Sequence, residues 1–463
     1  LNYLYNMFRL NKYYLFLILL CSSIKGQDVY SAYGLGEISL AHNASVIGAG
    51  SIGLMPDFQR KISLNNPTTW MNMPFAYISI NYGGVQIQDK LKNYENILSG
   101  LNQFQFILPI KGRYAIGIGL QPYSSQLYSL RSDNSEIKYI NQDTLNFNKS
   151  INGGGGISNF SFSIAAKLTN SEKLALKFNY LFGSSRNQID FSYNEGNNGI
   201  DDDFDGVIDE SGENDINYIY NQRNIYDGAL VNAYLSSNRI NIGKRNLIIS
   251  LSFSSVLHPF RVSNYSFYPF EDINGNGYYD LNDFPQPAGN DSIPPAALKT
   301  ELKNQFKPSQ YSVGFNYELT QLLNVQTEFS SWSDVSKNKS NILSNINYQL
   351  SDYNHFNISA IKFARDLPRF WYEALHFRSG IFFREYHLNK YESNENNITQ
   401  HSYNDIGLSV GIGVKFGLTK NQLDFGLNFI NRSDSFNSDK FITNFNIGLT
   451  IGDIWFVKRR AKK

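Results

Sequence analysis

Two acidic segments carry oxygen-bearing residues at the spacing of calcium loops. Ca²⁺ takes about six to eight oxygen ligands, and a central glycine lets the chain wrap around the ion. The first segment, residues 272–283, places Gly277 at the glycine position of such a loop. The ligands predicted there are Asp272, Asn274, Asn276, Tyr278 through its carbonyl, Asp280 and Asp283. We therefore expect structural Ca²⁺ here, with no catalytic role.

The second segment, residues 201–213, repeats the first part of this pattern. Its predicted ligands are Asp201, Asp203, Asp205 and Asp209. The closing position holds Gly212, so this site needs a different last ligand. The flanking helices of an EF-hand are absent from both segments. The alternative for each is an acidic loop that water solvates.

Two short motifs that resemble enzyme signatures lack the context those signatures need. Residues 48–53 fit G-x-G-x-x-G, which binds dinucleotides only between a strand and a helix. Residues 407–411 fit G-x-S-x-G, but Ser409 lies midway along an alternating stretch instead of at a sharp strand-to-helix turn. The six histidines show no metal-ligand spacing. We therefore predict that the protein is not an enzyme, and that residues 48–53 form a tight turn.

Composition narrows the class of protein further. The 463-residue chain has a formal net charge of +1, with 17% charged and 15% aromatic residues. The near-neutral charge gives no electrostatic argument for nucleic-acid binding. No run of about 18 apolar residues is present, which excludes a helical membrane span. The abundant Tyr and Phe would suit the aromatic girdles of an outer-membrane barrel.

The first 26 residues have the pattern of a secretory signal. Arg9 and Lys12 precede an apolar stretch at 13–20, and residues 24–26 offer a cleavage site. We therefore expect residues 1–26 to be removed on secretion. The only cysteine, Cys21, would leave with them, so no disulfide or cysteine ligand is expected in the mature chain.

The remaining sequence is dominated by apolar residues that alternate with small or polar ones. The pattern is clearest at 406–416, 423–429 and 441–455, and a period of two puts one set of side chains on each face of a strand. About fourteen such strands are predicted, near 76–88, 104–111, 114–124, 157–168, 172–193, 217–236, 246–257, 310–320, 324–332, 355–365, 372–388, 403–417, 421–431 and 441–456.

The predicted connections sort by length. Those after odd strands are mostly long, such as 125–156 and 258–309, and those after even strands are mostly short. Outer-membrane barrels have short periplasmic turns and longer extracellular loops. We therefore predict an all-β transmembrane antiparallel barrel at residues 75–457, followed by a basic periplasmic tail at 458–463. A water-soluble sandwich shows the same alternation but has no reason to sort its loops.

Residues 27–74 show no clear strand. A segment of this length without periodicity is uncommon in a compact fold. From the residues alone it is either a disordered leader or a plug packed inside a larger structure.

The whole mature chain resembles the FadL family of outer-membrane channels. That family has fourteen strands and an N-terminal hatch inside the barrel, with a Gly-rich stretch followed by Asn-Pro-Ala. Here Gly48, Gly50 and Gly53 match the first, and Asn66, Pro67 and Thr68 match the second, with Thr68 in place of Ala. Asn65, which precedes them, is also predicted as a hatch residue. Residues 30–36 and 455–460 look like those of relatives in the Bacteroidetes lineage.

The resemblance implies a hatch at 27–74 in the lumen and a location in the outer membrane of a Gram-negative bacterium. It also implies uptake of hydrophobic small molecules such as long-chain fatty acids. The expected partners are outer-membrane lipid and a hydrophobic ligand, with no nucleic acid. The alternative is a PorV-like barrel that acts as an anchor, shuttle or interaction partner in protein secretion.

Overall fold

The computed structural model describes most of the chain. The described residues are 29–39, 42–89, 94–110, 112–131, 136–140, 143–169, 172–194, 215–267, 269–272, 298–336, 348–365, 368–391, 398–417, 421–434 and 439–453. Among them no helix is long and apolar enough to cross a membrane. The helices of the described residues are α1 (Ala44–Ala49) and three 3-10 helices, at Val29–Ala32, Pro67–Asn72 and Trp371–Ala374.

The strands of the described residues form one antiparallel sheet. Its strands are β1 (Glu37–Ile38), β2 (Ala76–Asp89), β3 (Tyr94–Ile110), β4 (Tyr114–Ser125), β5 (Tyr128–Arg131), β6 (Glu136–Ile140), β7 (Asp143–Lys167), β8 (Glu172–Asn194), β9 (Asp215–Ser237), β10 (Ile240–Ile242), β11 (Arg245–Ser266), β12 (Phe270–Glu271), β13 (Leu298–Lys303), β14 (Pro308–Glu318), β15 (Leu323–Asp334), β16 (Tyr348–Lys362), β17 (Leu375–Tyr391), β18 (Ile398–Phe416), β19 (Asn421–Asp434) and β20 (Lys440–Asp453).

Fourteen of these strands close into a barrel. The wall runs β2-β3-β4-β7-β8-β9-β11-β14 and then through β15 to β20 in sequence order. β2 pairs with β3 on one side and with β20 on the other, so the sheet returns to its start. The predicted antiparallel barrel of fourteen strands is confirmed.

Several wall strands continue into segments that the sequence pattern assigned to loops. β2 and β3 pair from Tyr77 out to Asp89 and Tyr94, inside the predicted loop 89–103. β5 and β6 lie within the predicted loop 125–156 and both pair with β7. These extensions run past the apolar part of the wall. Their two faces differ less in polarity than those of the wall, so the alternation of apolar and polar residues did not predict them.

The outer face of the wall is apolar and the inner face is small or polar. On β18, Leu408 is 48% exposed, whereas its neighbour Ser409 is fully buried. β19 and β20 repeat the pattern, with Phe425 and Ile447 exposed outward and Asp424 and Asn446 buried inward. A continuous apolar exterior around a closed sheet is the surface that a bilayer solvates.

A charge on this belt should therefore be costly. Ile381 is 63% exposed on the outer face of β17, and Val335, just beyond β15 at the long-loop end, is 61% exposed. We expect Ile381→Lys to lower the free energy of unfolding in bilayers by about 2–4 kcal/mol. Val335→Lys should change it by no more than about 0.5 kcal/mol. Urea titration in liposomes measures both, and equal effects would contradict bilayer contact at the belt.

Candidate functional site in the barrel lumen

The lumen is filled by the hatch, the segment from Val29 to Phe75. α1 packs against β16 to β20, and the 3-10 helix Pro67–Asn72 packs against the opposite wall, β3, β4, β7, β8 and β9. The hatch therefore crosses the barrel from wall to wall. It contains a helix where the sequence analysis found no periodic element, because a six-residue helix is too short to show one.

α1 is held at both ends by local capping. The Asn43 side chain accepts a hydrogen bond from Val46 N at 2.9 Å, which caps the start. Gly50, at φ 62°, ends the helix in the left-handed conformation that glycine tolerates best. Gly48 therefore lies within a helix, which corrects the predicted turn, and Gly50 is its cap.

Glycines in the wall make room for this helix. A Cβ atom on Gly411 would lie 2.7 Å from Gly48 Cα, and one on Gly48 would lie 2.6 Å from Gly411 Cα. Gly380 and Gly426 likewise face the carbonyl oxygens of Ala49 and Ala44. The glycines that alternate with apolar residues in the sequence thus leave the space in which the hatch helix packs against the wall.

The Asn-Pro-Thr stretch fixes the second wall contact. Asn66 accepts hydrogen bonds from Thr68 N at 3.1 Å and Thr68 Oγ1 at 2.7 Å, and donates to Leu54 O at 2.7 Å. Thr68 Oγ1 also lies 2.6 Å from Ser236 Oγ on β9. The hydroxyl that distinguishes Thr68 from the alanine of the FadL pattern thus ties the hatch to the wall. Pro67 starts the 3-10 helix without needing an N–H partner.

Asn65 and Gly53 meet where the two halves of the hatch touch. Asn65 Oδ1 accepts from Asn43 Nδ2 at 3.0 Å. A Cβ on Gly53, at φ 79°, would lie 2.7 Å from Asn65 Nδ2. The structure therefore brings five of the predicted hatch residues, Gly50, Gly53, Asn65, Asn66 and Pro67, into the turns that set the hatch's shape.

Glu328 on β15 anchors the hatch turn at residues 52–55, and it is not among the predicted site residues. Its carboxylate is fully buried and accepts from Ile52 N at 2.7 Å and Met55 N at 2.6 Å. Hydrogen bonds to a charged group are worth more than neutral ones. A charged residue on the lumen face of an alternating strand was the available signal.

We expect Glu328→Gln to loosen this turn. Each carboxylate oxygen accepts from a different N–H group, so the amide of glutamine would leave one of these N–H groups facing its NH₂ group. About 1.5–3 kcal/mol of the free energy that docks the hatch should be lost. Hydrogen exchange of the amides at 52–55 should accelerate. Glu318→Gln is the matched control, because buried Glu318 bonds Arg239 and Asn246 on the wall instead of the hatch. Unchanged exchange in Glu328→Gln would contradict the anchoring role.

A second anchor is built from wall charges. Arg378 on β17 pairs with Asp424 on β19 at 2.8 Å and donates from Nε to Asp57 O at 2.8 Å. Its Nη2 donates to Phe58 O at 3.2 Å. The Asp57 side chain is fully buried, and burial raises its pKa to about 8, although Arg378 opposes the shift. The hatch backbone is therefore held by an ion pair that is itself buried.

The N-terminal arm, residues 29–36, packs against a ladder of aromatic rings on the inner wall. Tyr386 and Tyr403 stack with centroids 4.4 Å apart, and Tyr30 lies 4.2 Å from Tyr403. Arg432 sits over Tyr30 and Tyr403, each at 4.9 Å, and holds Asp405 with two bonds of 2.8 and 3.0 Å. These ring and arginine contacts hold the arm at the end of the lumen where the long connections lie.

The wall has a gap between β3 and β4. These strands pair only from Phe104 to Ile110 and Leu120 to Tyr114. Beyond that point, among the described residues, β3 pairs with β2, while β4 pairs with β7 and with hatch strand β1. Pro122 lies there beside a register shift in β4, and proline in a strand is confined to edges and bulges. On the β4 side of the gap, the short strand Glu37–Ile38 pairs in the place of β3.

A cavity of about 340 Å³ opens beside this gap. Its apolar lining comes from several strands and from the hatch. Those residues include Ile47, Val85, Ile87, Leu98, Ile430 and Ile442. Leu101 also lines it and is 55% exposed on the outside of the wall. The cavity therefore connects the lumen with the apolar exterior, and it is large enough for a small ligand.

The predicted calcium ligands lie almost wholly outside the described residues. Of the two sets only Asp272 is described, and it is 4% exposed. In the described part of the chain, no group of three or more His, Cys, Asp or Glu side chains could hold a metal ion. Calcium binding at 272–283 and 201–213 stays a prediction from sequence.

Comparison with solved structures gives the same architecture. The chain is similar to the CymD monoaromatic hydrocarbon channel, at 12% identity and a TM-score of 0.50, covering 92% of this chain and all of that one. It also matches the Ralstonia pickettii toluene transporter TbuX, at 13% identity, a TM-score of 0.46 and coverage of 93% and 99%. A Pseudomonas aeruginosa FadL homologue matches at 10% identity, a TM-score of 0.49 and coverage of 90% and 98%.

Sequence comparison defines the family. No curated protein matches the chain. The family model BamG matches residues 10–462, which is nearly the whole length. The likeness to CymD is a likeness of fold, and it agrees with the closed antiparallel barrel of fourteen strands that the FadL resemblance implied. The protein is thus an outer-membrane β-barrel that belongs to the BamG family.

Proposed function

We propose that this barrel is a channel that takes up hydrophobic small molecules across the outer membrane, long-chain fatty acids among them. The observation that carries the proposal is the gap between β3 and β4 with the apolar cavity beside it. The names of the similar structures support it, since CymD is a monoaromatic hydrocarbon channel and TbuX a toluene transporter.

The geometry favours a lateral route. The lumen beneath the cavity is filled by α1 and by the turn that Glu328 and Arg378 hold, so a ligand moving straight through must displace buried contacts. Among the described residues, the backbone bonds on the sideways route are the two residue pairs of β1 with β4 and the bond from Ser39 N to Tyr123 O at 2.9 Å. Because apolar solutes partition into hydrocarbon, the bilayer is a favourable sink for the ligand.

Reconstitution tests the proposal. Proteoliposomes should accumulate a fluorescent long-chain fatty acid and an aromatic hydrocarbon faster than protein-free liposomes do. A variant lacking residues 27–74 should instead pass polar solutes as well, because the lumen would be open. Equal accumulation with and without the intact protein would contradict a channel function.

A second candidate is an interaction partner in protein secretion, and one feature favours it. β7, β8 and β9 continue beyond the apolar belt, where β11 also pairs with β13 along Arg261–Ser266. This sheet stands clear of the bilayer and offers a polar surface to another protein. Co-purification of a stoichiometric partner in detergent, lost when residues 298–303 are altered, would favour this role over transport.

A further inference from the structure

A small cavity lies between the hatch and the wall at the end of the barrel where the connections are short. Its volume is about 130 Å³. Lys61 of the hatch lines it from one side, and Lys173, Ser237 and Arg239 line it from the wall. Among the described residues, no Asp or Glu lines this cavity. Outer-membrane barrels turn their short connections toward the periplasm, so the cavity lies at the periplasmic mouth of the lumen.

A network of hydrogen bonds fixes the two lysines on either side of the cavity. Lys61 lies in a tight turn, in which Ile62 N donates to Gln59 O at 2.9 Å. The Asn72 side chain holds this turn, because its Nδ2 donates to Lys61 O at 2.9 Å. Its Oδ1 accepts from Lys173 Nζ on β8 at 3.2 Å. One amide side chain therefore links the hatch turn to the ammonium group on the wall.

The charges around Lys173 are unbalanced. The three that act on it most strongly are all positive, and they are Lys61, Lys167 and Arg239. The carboxylate that acts on Lys61 is Glu318. Its Oε1 accepts from Arg239 at 2.7 Å, so it offsets the charge of that arginine. Four cations against one carboxylate leave an excess of positive charge at the mouth of the lumen.

This excess acts across the boundary between the hatch and the wall. Lys61 belongs to the hatch and Lys173 to the wall, and like charges repel, so their repulsion opposes docking of the hatch. Glu172 does not relieve it. Successive residues of a strand point to opposite faces, so Glu172 faces away from the cavity that Lys173 lines. An anion in the cavity would cancel the repulsion and contact both parts.

We propose that this cavity binds a small oxyanion of the phosphate type, which joins the hatch to the wall and holds the hatch docked at its periplasmic end. An ammonium group has three donors and a guanidinium has five. Lys173 gives one to Asn72 and Arg239 gives one to Glu318, so each has further N–H groups for an anion. Ser237 Oγ accepts from Ile249 N at 2.9 Å, which leaves its proton to donate.

A phosphate-type oxyanion fits this arrangement because it accepts bonds from several directions at once, and bonds between charged groups are the strong ones. The volume of about 130 Å³ limits the occupant to a single group of this kind. The proposal goes beyond the uptake of hydrophobic molecules and does not depend on it, because binding at this mouth can be measured without any transported ligand.

Titration with inorganic phosphate tests the site on the purified full chain in phosphatidylcholine nanodiscs, at constant ionic strength set with chloride. The wild type should bind phosphate saturably. Lys61→Gln and Lys173→Gln should each weaken binding about 10-fold or more, as expected for loss of a bond to a charged group. Lys173→Arg should retain part of the affinity, because it keeps the charge. Lys244→Gln is the control, since exposed Lys244 lies in the β10–β11 turn at the same end and does not line the cavity.

Hydrogen exchange tests whether the anion holds the hatch. An anion that binds only the docked hatch lowers the undocked population by the factor 1 + [L]/Kd, so phosphate at ten times its Kd should slow exchange of the amides at 61–73 about 10-fold. The slowing should be absent in Lys173→Gln and present in Lys244→Gln.

The outcomes separate binding from its effect on the hatch. If the wild type binds no phosphate, or Lys173→Gln binds it as tightly as the wild type, the site is wrong. If phosphate binds but exchange at 61–73 is unchanged, the anion does not hold the hatch. Protection in phosphatidylglycerol nanodiscs without added phosphate would identify a lipid head group as the source of the oxyanion, whereas protection that requires added phosphate would identify the free ion.

Discussion

Oxidation of the double variant Ile38→Cys/Ser124→Cys is expected to stop uptake of hydrophobic ligands, and reduction is expected to restore it. Ile38 and Ser124 are direct partners in the pairing of β1 with β4. Opposed residues in antiparallel strands have Cα atoms about 4.5–5.5 Å apart, within the range of disulfides. The bridge would fix the hatch strand to β4 at the edge of the gap. Uptake into proteoliposomes should then fall to the level of protein-free liposomes.

The control for this experiment is a bridge that leaves the gap alone. The pair Ile240→Cys/Leu247→Cys joins β10 to β11, which are also direct partners, at a hairpin remote from β3 and β4. The only native cysteine, Cys21, lies in the predicted signal peptide and is replaced in both variants. Uptake that continues unchanged in the oxidised Ile38→Cys/Ser124→Cys protein would show that the ligand does not pass this strand.

Substitution of Gly411 by valine should have the second largest effect, because the new side chain fills the space in which the hatch helix packs against the wall. A Cβ on Gly411 would lie 2.7 Å from the Cα of Gly48, so wall and hatch backbones must separate. Overpacking of this kind costs about 1–3 kcal/mol. We expect the hatch to undock, the amides of α1 to exchange faster, and the barrel to conduct small ions in planar bilayers.

Gly154→Val is the matched control for this change. Gly154 lies on wall strand β7, and a Cβ there would meet no atom within 4 Å. It should leave conductance and α1 exchange as in the wild type. If Gly411→Val also leaves the conductance and the hydrogen exchange of α1 unchanged, close packing at the wall glycines does not hold the hatch.

The barrel itself could be predicted because bilayer contact imposes a simple pattern on the sequence. Every wall strand must present apolar residues outward, and Ile406 to Phe416 does so without interruption. The ends of the wall strands were harder to predict. β7 begins at Asp143 instead of near 157, because residues 143–156 are mostly polar or glycine and show little alternation.

The hatch and the cavity were predictable only in part. Asn66 and Pro67 were recognised through the family pattern, and their capping role follows from their chemistry. Glu328, Arg378 and Arg384 are single charged residues on lumen faces, more than 250 residues away in sequence from the hatch they surround. No spacing rule links them to it. The gap depends on the residues at which β3 and β4 stop pairing, and the sequence of a single strand does not determine them.

Photolabelling of the protein in bilayers tests most directly whether hydrophobic ligands occupy the cavity beside the gap. An alkyl diazirine without charge would be added to proteoliposomes, activated, and located by peptide mass spectrometry. If ligands pass through the gap, residues in 81–103 and 119–127 should be labelled saturably, and this labelling should be competed by unlabelled ligand and lost when Ile38→Cys/Ser124→Cys is oxidised. Labelling confined to outward residues such as Ile381 and Phe425, with no competition, would contradict it.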